Sequence, residues 1–211
     1  MRTGAGHRLR PEALTGVRLG IFGGTFDPPH VGHLLAASDA FEALVLDRLL
    51  FVPAAAQPFK VGRVWATAEQ RRRMLELMVA GDPRFIVDPI ELNRGGLSYT
   101  VDTLTALSER EPGAALVLLI GEDLAGQIGS WRAPERIAAL ADIVVLTRAG
   151  EPDGSSEAAA GAVPRRLRRV RTRRVDMSAT EIRARVHDGH SIHGFVTEAV
   201  AGFIATAGLY R

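Results

Sequence analysis

The chain contains no cysteine and a single lysine, Lys60, and only 6% of its 211 residues are aromatic. The absence of cysteine excludes a disulfide framework, cysteine-ligated zinc, an iron–sulfur cluster and a thiol nucleophile. No apolar run approaches the roughly 18 residues that a membrane span needs. Residues 1–16 contain no hydrophobic block of the kind that signal peptides have. We therefore expect a cytoplasmic protein with no membrane partner.

The overall composition is that of an ordinary globular protein, with 46% hydrophobic and 24% charged residues. A chain of this length can bury a sizeable core without disulfides or metal. Its formal net charge of +2 does not by itself indicate a nucleic-acid partner. We expect one domain over residues 17–211, preceded by a disordered extension over residues 1–16.

Short apolar runs alternate with segments of helical periodicity along the chain. The runs predict strands over residues 17–22, 49–53, 84–90, 114–120, 142–147 and 167–175. The periodic segments predict helices over residues 31–46, 67–80, 98–109, 178–187 and 197–207. This alternation predicts an α/β fold with a doubly wound parallel sheet and a small C-terminal helical part. Ligands would then bind at the carboxyl ends of the strands.

The first predicted strand leads into two glycines, Gly23 and Gly24, and then into two histidines, His30 and His33. Glycines let the backbone approach a ligand closely. A helix that begins near His30 would direct its free N–H groups to the carboxyl end of the strand, where they can bind an anion. Histidines three positions apart share one helix face and can donate to phosphate oxygens. The alternative is a plain strand-to-helix turn with two surface histidines.

The whole segment GGTFDPPHVGH, residues 23–33, resembles the phosphate-binding motif G-x-F-D-P-x-H-x-G-H of the HxGH nucleotidylyltransferase superfamily. The resemblance implies a Rossmann-like nucleotidylyltransferase fold. It also implies that His33 stabilises the α-phosphate of ATP in the transition state and that His30 helps to hold the phosphates. Thr25 and Phe26 would offer backbone N–H groups to the same phosphates.

A second motif, SATEIR, begins at Ser178. A serine followed three residues later by glutamate is sufficient for a helix capping box. The segment also resembles the superfamily motif S-S/T-T-x-I-R. That resemblance implies that Ser178, Thr180 and Arg183 grip the β and γ phosphates of ATP. Ala179 stands where the motif has a second hydroxyl side chain.

Two further segments are similar to those of nicotinate-nucleotide adenylyltransferases. FVPAAAQPFK, which begins at Phe51, is similar to the F-V-P…P-P-H-K loop of that family. The similarity implies that Lys60 assists at the phosphates, although Phe59 replaces the usual histidine.

The run ELNRGGLSYTVDTL, which begins at Glu91, resembles the family's E-x-x-R-x-G-x-S-Y-T-x-D-T-L, and sister adenylyltransferases lack it. The resemblance implies that Ser98, Tyr99 and Thr100 open a helix whose backbone N–H groups bind the carboxylate of nicotinate. An ordinary helix cap is the alternative.

The segment GEDL, residues 121–124, follows the fourth predicted strand and resembles the family's G-A/S-D-x-L. Gly121 and Asp123 would then bind the nucleotide, with Asp123 on the ribose hydroxyls, and Glu122 stands where a small residue is usual. Trp131 matches a tryptophan that stacks on the pyridine ring, although plain packing is an alternative. Arg148 matches an arginine of the nucleotide pocket, and its alternative is a solvated strand end.

Residues 165–174 contain seven arginines. A nucleic-acid patch is the tempting interpretation. The alternation of these arginines with apolar residues favours a solvated strand face instead. We therefore expect no nucleic-acid partner.

Taken together, these resemblances imply transfer of AMP from ATP to nicotinate mononucleotide, which gives deamido-NAD and pyrophosphate in NAD biosynthesis. Mg²⁺ would enter with ATP, held chiefly by phosphate oxygens and without a protein metal site. Nicotinamide mononucleotide, phosphopantetheine, FMN, or a sugar or lipid phosphate are alternative acceptors. A non-catalytic nucleotide sensor is a further alternative, because Ala179, Phe59 and Glu122 depart from the family motifs. The chain could also form a homo-oligomer.

Overall fold

The computed structural model describes residues 16–56, 64–148 and 167–211. Apart from Gly16, the extension predicted to be disordered lies outside these ranges, and the organisation as one domain stays a prediction. Within the described ranges, no helix is both long and apolar enough to cross a membrane.

Six parallel strands form one sheet in the order β3-β2-β1-β4-β5-β6. They are β1 (Arg18–Gly24), β2 (Arg48–Pro53), β3 (Phe85–Val87), β4 (Ala115–Gly121), β5 (Ala141–Arg148) and β6 (Arg168–Thr172). This arrangement confirms the predicted doubly wound parallel sheet.

Eight α-helices are present in the described ranges. They are α1 (Val31–Leu44), α2 (Ala68–Val79), α3 (Ile90–Arg94), α4 (Thr100–Arg110), α5 (Glu122–Ala125), α6 (Pro134–Leu140), α7 (Ala179–His187) and α8 (Glu198–Ala207), with a 3₁₀ turn at Ile128–Ser130. The helix predicted over residues 31–46 ends earlier, because Val45 adopts a left-handed conformation with φ of 51°. That turn directs Leu46 into the core, where it is buried.

The central strands are buried on both faces, which explains why they are continuous apolar runs in the sequence. In β4, Val117 and Leu119 belong to the cluster that includes side chains of α1, α2 and α8. Leu116, Leu118 and Ile120 belong to the cluster on the opposite face, which includes side chains of α4 and α6. The sheet is therefore the middle of three layers.

The strand order reverses between β1 and β4, which are neighbours in the sheet although two strands separate them in the chain. The connections that leave the carboxyl ends of these two strands run in opposite directions. In open α/β sheets this arrangement opens a crevice in which ligands bind. The two glycines that end β1 and the Gly121 that ends β4 lie at that crevice.

Candidate active site

The β1–α1 loop, residues 25–30, connects the first strand to the first helix at the crevice. A Cβ atom on Gly24 would lie 2.8 Å from Cζ of Phe26, so glycine is required for the Phe26 ring to pack against it. A Cβ atom on Gly23 would meet no atom within 4 Å. The exposed backbone of Gly23 is therefore accessible to a ligand at the edge of the sheet.

The two histidines of the motif form one stacked pair at the start of α1. Their ring centroids are 3.7 Å apart, and the backbone N–H of His30 donates to Nδ1 of His33 over 3.2 Å. Because Nδ1 of His33 accepts this bond, the neutral ring carries its proton on Nε2. A Cβ atom on Gly32 would lie 3.0 Å from Nδ1 of His30, so the glycine between them makes room for the stack.

The protein keeps His33 neutral. The rings of Phe22 and Phe26 contact it edge-on, with centroids 6.2 and 5.0 Å away. Burial is the main cause that lowers the pKa of His33 well below its ordinary value near 6.5, and repulsion by His30 lowers it further. At neutral pH the ring therefore offers a fixed N–H donor rather than a positive charge.

The free helix N–H groups predicted at the start of α1 are only partly available. The N–H of Val31 donates to the carbonyl oxygen of Phe195 over 2.9 Å, which corrects the expectation that the first turn of α1 is open. In contrast, no hydrogen bond in the described ranges uses the N–H groups of Thr25 or Phe26. The remaining backbone donors in this region are thus the N–H groups of the loop and that of Gly32 in the first turn of α1.

Asp27, in the middle of this loop, is 4% exposed and is held by three hydrogen bonds to its carboxylate. Its Oδ2 accepts the N–H of Trp65 over 2.7 Å, and its Oδ1 accepts the N–H of Ala66 over 3.2 Å. The Tyr210 hydroxyl also donates to Oδ1, over 2.7 Å. The C-terminal segment and the start of α2 are therefore both attached to the loop.

Helix α7 contacts the β1–α1 loop through Arg183. Its Nη1 donates to the carbonyl oxygen of Asp27 over 2.6 Å, and its Nη2 donates to Oγ1 of Thr180 over 3.1 Å. Ser178 is the N-cap residue of α7, and its Oγ accepts the N–H of Glu181 over 3.1 Å. The structure thus brings the second motif beside the first and keeps the capping role of Ser178.

At the end of β4, glycine makes room for a carboxylate. A Cβ atom on Gly121 would lie 2.5 Å from Oδ1 of Asp123, which is exposed. Glu122, whose charge was unexpected from the sequence, pairs with Arg169 of β6 at 3.4 Å. The ion pair gives this charge a structural partner.

The side chains of two predicted site residues, Lys60 and Arg148, are outside what the structure describes. Lys60 lies outside the described ranges, as does Phe59. The backbone of Arg148 ends β5 opposite Thr172 of β6, at the carboxyl edge of the sheet.

Around the start of α4, some of the polar groups predicted to bind the acceptor are already engaged in hydrogen bonds within the protein. The Oγ of Ser98 accepts the N–H of Ala55 over 2.9 Å, and the N–H of Ser98 donates to Ala56 over 2.8 Å. Helix α4 begins at Thr100 with Tyr99 as N-cap. The N–H of Ser98 is therefore not presented to a ligand, whereas a helix leaves the N–H groups of its first turn without intrahelical acceptors.

Trp131 lies directly after the 3₁₀ turn and is half-buried in the same apolar cluster as Tyr99. The next residue, Arg132, places its guanidinium carbon 4.8 Å from the centre of the Tyr99 ring. Arg132 also pairs with Asp102 at 3.4 Å. The structure thus brings Trp131 and the start of α4 together.

The run that begins at Glu91 is connected internally by a buried hydroxyl. Thr103, 3% exposed, donates to Oε1 of Glu91 over 2.6 Å and accepts from Nη2 of Arg94 over 3.1 Å. These bonds join α3 to α4 across Gly95 and Gly96, both of which have positive φ. The polar residues of this run therefore fix the position at which α4 begins.

Three arginines in the described part of the arginine-rich segment pair with carboxylates. The pairs are Arg169 with Glu122, Arg173 with Asp39, and Arg174 with Asp176. The first pair joins β6 to α5, and the second joins the residue directly after β6 to α1. These contacts give the arginines structural roles within the fold.

One site residue that the sequence analysis did not single out is Arg71 of α2. It is 1% exposed, and its Nη1 donates to the carbonyl oxygen of Thr25 over 2.8 Å. The buried side chains of α2 follow helical spacing: Arg71, Met74, Leu75, Met78 and Val79. The helical spacing of buried positions in α2 therefore distinguishes Arg71 from the neighbouring Arg72 and Arg73, which are more exposed.

Comparison with known proteins matches residues 21–185 to the family model described as Cytidylyltransferase-like. A Gemmatimonas aurantiaca protein named "probable nicotinate-nucleotide adenylyltransferase" is 49% identical over 200 residues, 92% of this chain and 93% of that protein. A Thermus thermophilus protein of the same name is 45% identical over 92% of this chain and all of its own length.

Among solved structures, the chain resembles Plasmodium falciparum nicotinic acid mononucleotide adenylyltransferase complexed with NaAD. The TM-score is 0.71 at 17% sequence identity, and the match covers 92% of this chain and 97% of the other. The same enzyme complexed with APC gives a TM-score of 0.72 at 16% identity. At such low identity these structures establish the fold alone.

Proposed function

Because the chain belongs to the nicotinate-nucleotide adenylyltransferases among the cytidylyltransferase-like proteins, we propose that it transfers AMP from ATP to the 5′-phosphate of nicotinate mononucleotide. The products are nicotinate adenine dinucleotide and pyrophosphate. The observation that carries this proposal is the stacked pair of His30 and His33 at the crevice, with Arg183 attached to the same loop.

The reaction requires alignment more than activation. A phosphate monoester is already a nucleophile near neutral pH, so its oxygen forms the new bond to the α-phosphorus while the bond to the β-phosphate oxygen breaks. The electron pair leaves with pyrophosphate. Positioned donors lower the barrier by aligning the two nucleotides and by stabilising the charge that develops on the phosphoryl oxygens.

In this proposal His33 is the donor to the α-phosphate. Its Nε2 proton is fixed by the bond that His30 N–H makes to Nδ1, and the lowered pKa keeps the ring neutral. His30 helps to hold the phosphates. The unused N–H groups of Thr25 and Phe26 bind phosphate oxygens beside the accessible backbone of Gly23, and Gly24 makes room for the Phe26 ring.

The leaving pyrophosphate binds at the start of α7. Ser178, Thr180 and Arg183 contact the β and γ phosphates, with Lys60 assisting. ATP enters as its complex with a divalent cation, which we propose to be Mg²⁺ held chiefly by phosphate oxygens. The nucleoside binds at the carboxyl ends of β4 and β5, where it contacts Gly121, Asp123 and Arg148.

The acceptor binds near the start of α4. The N–H groups at the start of α4, those of the N-cap residue Tyr99 and of Thr100, bind the nicotinate carboxylate. Ser98 positions this turn by its two bonds to residues 55–56. Trp131 stacks on the pyridine ring.

The test is pyrophosphate release from MgATP with four acceptors: nicotinate mononucleotide, nicotinamide mononucleotide, phosphopantetheine and FMN. A reaction without acceptor measures background hydrolysis of ATP. We expect a strong preference for nicotinate mononucleotide, because helix N–H groups favour a carboxylate over a neutral amide.

Turnover of another acceptor would contradict the proposed acceptor pocket but not adenylyl transfer. Silence with all four acceptors, together with measurable ATP binding, would contradict adenylyl transfer to these acceptors and favour a nucleotide sensor. The variants Ala179→Ser, Phe59→His and Glu122→Ala would then test whether the family's usual residues restore activity.

A further inference from the structure

The C-terminal segment of the chain folds back onto the β1–α1 loop. Helix α8 ends at Ala207, and the left-handed Gly208 reverses the chain so that the N–H of Leu209 bonds to Ile204. Tyr210 follows with a positive φ of 65° and is buried to 7% exposure. Its hydroxyl donates to Oδ1 of Asp27 over 2.7 Å, across 183 positions of sequence.

The Tyr210 hydroxyl is a permanent donor in this contact. Burial, and then the hydrogen bond to Asp27, raise the pKa of Tyr210 well above its ordinary value of 10. The hydroxyl thus stays protonated at neutral pH. Asp27 therefore always has this third donor besides the N–H groups of Trp65 and Ala66.

Asp27 transmits this contact to the groups that face the phosphates. Its carbonyl oxygen accepts from Nη1 of Arg183. Its neighbour Phe26 packs edge-on against the His33 ring, with centroids 5.0 Å apart. A shift of the Asp27 peptide would therefore displace Arg183 and His33 together.

We infer that Tyr210 is a positioning residue for adenylyl transfer: its hydroxyl holds Asp27, and Asp27 holds the loop that sets His33 and Arg183 against the phosphates. Tyr210 itself contacts no reacting atom. This inference rests on the proposed function for its catalytic part, but the geometry predicts an effect on ATP binding whichever acceptor is used.

The test is Tyr210→Phe, which removes one oxygen atom and keeps the ring. The matched control is Ile204→Val, which shortens a buried side chain of α8 by one carbon and removes none of the three hydrogen bonds to the Asp27 carboxylate. For both variants we would measure the Tm, the Kd of a non-hydrolysable ATP analogue, and kcat and KM with MgATP and nicotinate mononucleotide.

We expect both variants to lower the Tm. Only Tyr210→Phe should also raise the Kd of the ATP analogue several-fold and lower kcat about tenfold. Small displacements of catalytic groups are enough to slow a reaction that depends on alignment. The KM for the acceptor should stay within about twofold of the wild-type value, since the acceptor residues are held by other bonds.

If Tyr210→Phe lowers the Tm but leaves kcat and the Kd of the analogue equal to those of Ile204→Val, Tyr210 is only structural and the inference is wrong. The binding measurement decides this even if wild-type protein transfers AMP to none of the acceptors. That second result would contradict the proposed function, so the two failures are distinguishable.

Discussion

The two sides of the candidate active site are held in different ways. The phosphate side comprises the β1–α1 loop, α7 and Tyr210, and its bonds join distant parts of the chain, such as Tyr210 to Asp27 over 183 positions. The acceptor side comprises residues 54–56 and 90–103 with Trp131. Its central bond joins Thr103 to Glu91, only 12 positions away.

This difference separates catalysis from the choice of acceptor. The phosphate side forms only when strands, α2, α7 and the C-terminal segment have all assembled, and such preorganised groups suit charge stabilisation in a transition state. The acceptor side is built around one segment, residues 90–103, which two hydrogen bonds of Ser98 join to residues 55–56 just after β2. The residues of that segment that are assigned to the acceptor, Tyr99 and Thr100, are only partly buried, whereas Thr103 and Glu91 are buried and hold the segment in place.

The change that should break the phosphate side most strongly is His33→Ala. We expect kcat to fall by about 10²- to 10³-fold, because the variant lacks the fixed Nε2 donor to the α-phosphate. The KM for the acceptor should change little. Steady-state pyrophosphate release with purified variant is the measurement.

The control for His33→Ala is the exposed His190, whose alanine variant should keep wild-type kcat. Circular dichroism of both variants checks that the fold is intact. A correctly folded His33→Ala protein with wild-type turnover would remove His33 from the mechanism.

The acceptor side should respond differently to Trp131→Ala. We expect the KM for nicotinate mononucleotide to rise about tenfold, the scale of one aromatic stacking contact. The KM for ATP should stay near the wild-type value. Trp65→Ala is the matched control, because Trp65 is the other tryptophan of the chain and its side chain is 69% exposed.

An increase confined to the KM for ATP would show that Trp131 does not stack on the acceptor. An equal rise in both KM values would show that the two sides are coupled more tightly than their separate bonding suggests. Either result would revise the comparison between the phosphate side and the acceptor side.

The sequence was sufficient to predict the sheet and most helices, because buried parallel strands are continuous apolar runs and helices bury periodic faces. The short helix α3 (Ile90–Arg94) was not predicted. The strand before it, β3, covers only Phe85–Val87, whereas the prediction was residues 84–90. Five residues with the polar side chains Glu91 and Arg94 give no helical apolar period. Tertiary bonds to Thr103, rather than local propensity, fix that segment.

In the candidate site, motifs identify the residues at the crevice but not what holds them. The bond from Val31 N–H to Phe195 and the bond from Tyr210 to Asp27 each join segments far apart in the chain. A local sequence pattern cannot predict hydrogen bonds between such distant segments. Arg71 is different, since its position on the apolar face of α2 could have been predicted from helical spacing alone.

The smallest expected effect concerns the pH dependence of stability on the phosphate side. The folded protein lowers the pKa of His33 below the value near 6.5 that it has when unfolded. Between these two pKa values the unfolded chain binds more protons, so the free energy of unfolding falls as the pH is lowered through that window. Above about pH 6.5 this contribution to stability is complete.

The variant His33→Gln isolates this contribution. A glutamine at the third helical position can still accept the His30 N–H, as in a capping box, but it does not titrate. We expect urea unfolding at about pH 7.5 and about pH 5.5 to show a smaller loss of stability on acidification for His33→Gln than for wild type. The control His190→Gln removes an exposed histidine outside the site and should keep the wild-type loss. If His33→Gln loses as much stability as wild type, His33 does not titrate below its ordinary range, and the neutral donor assigned to the phosphate side would have to be reconsidered.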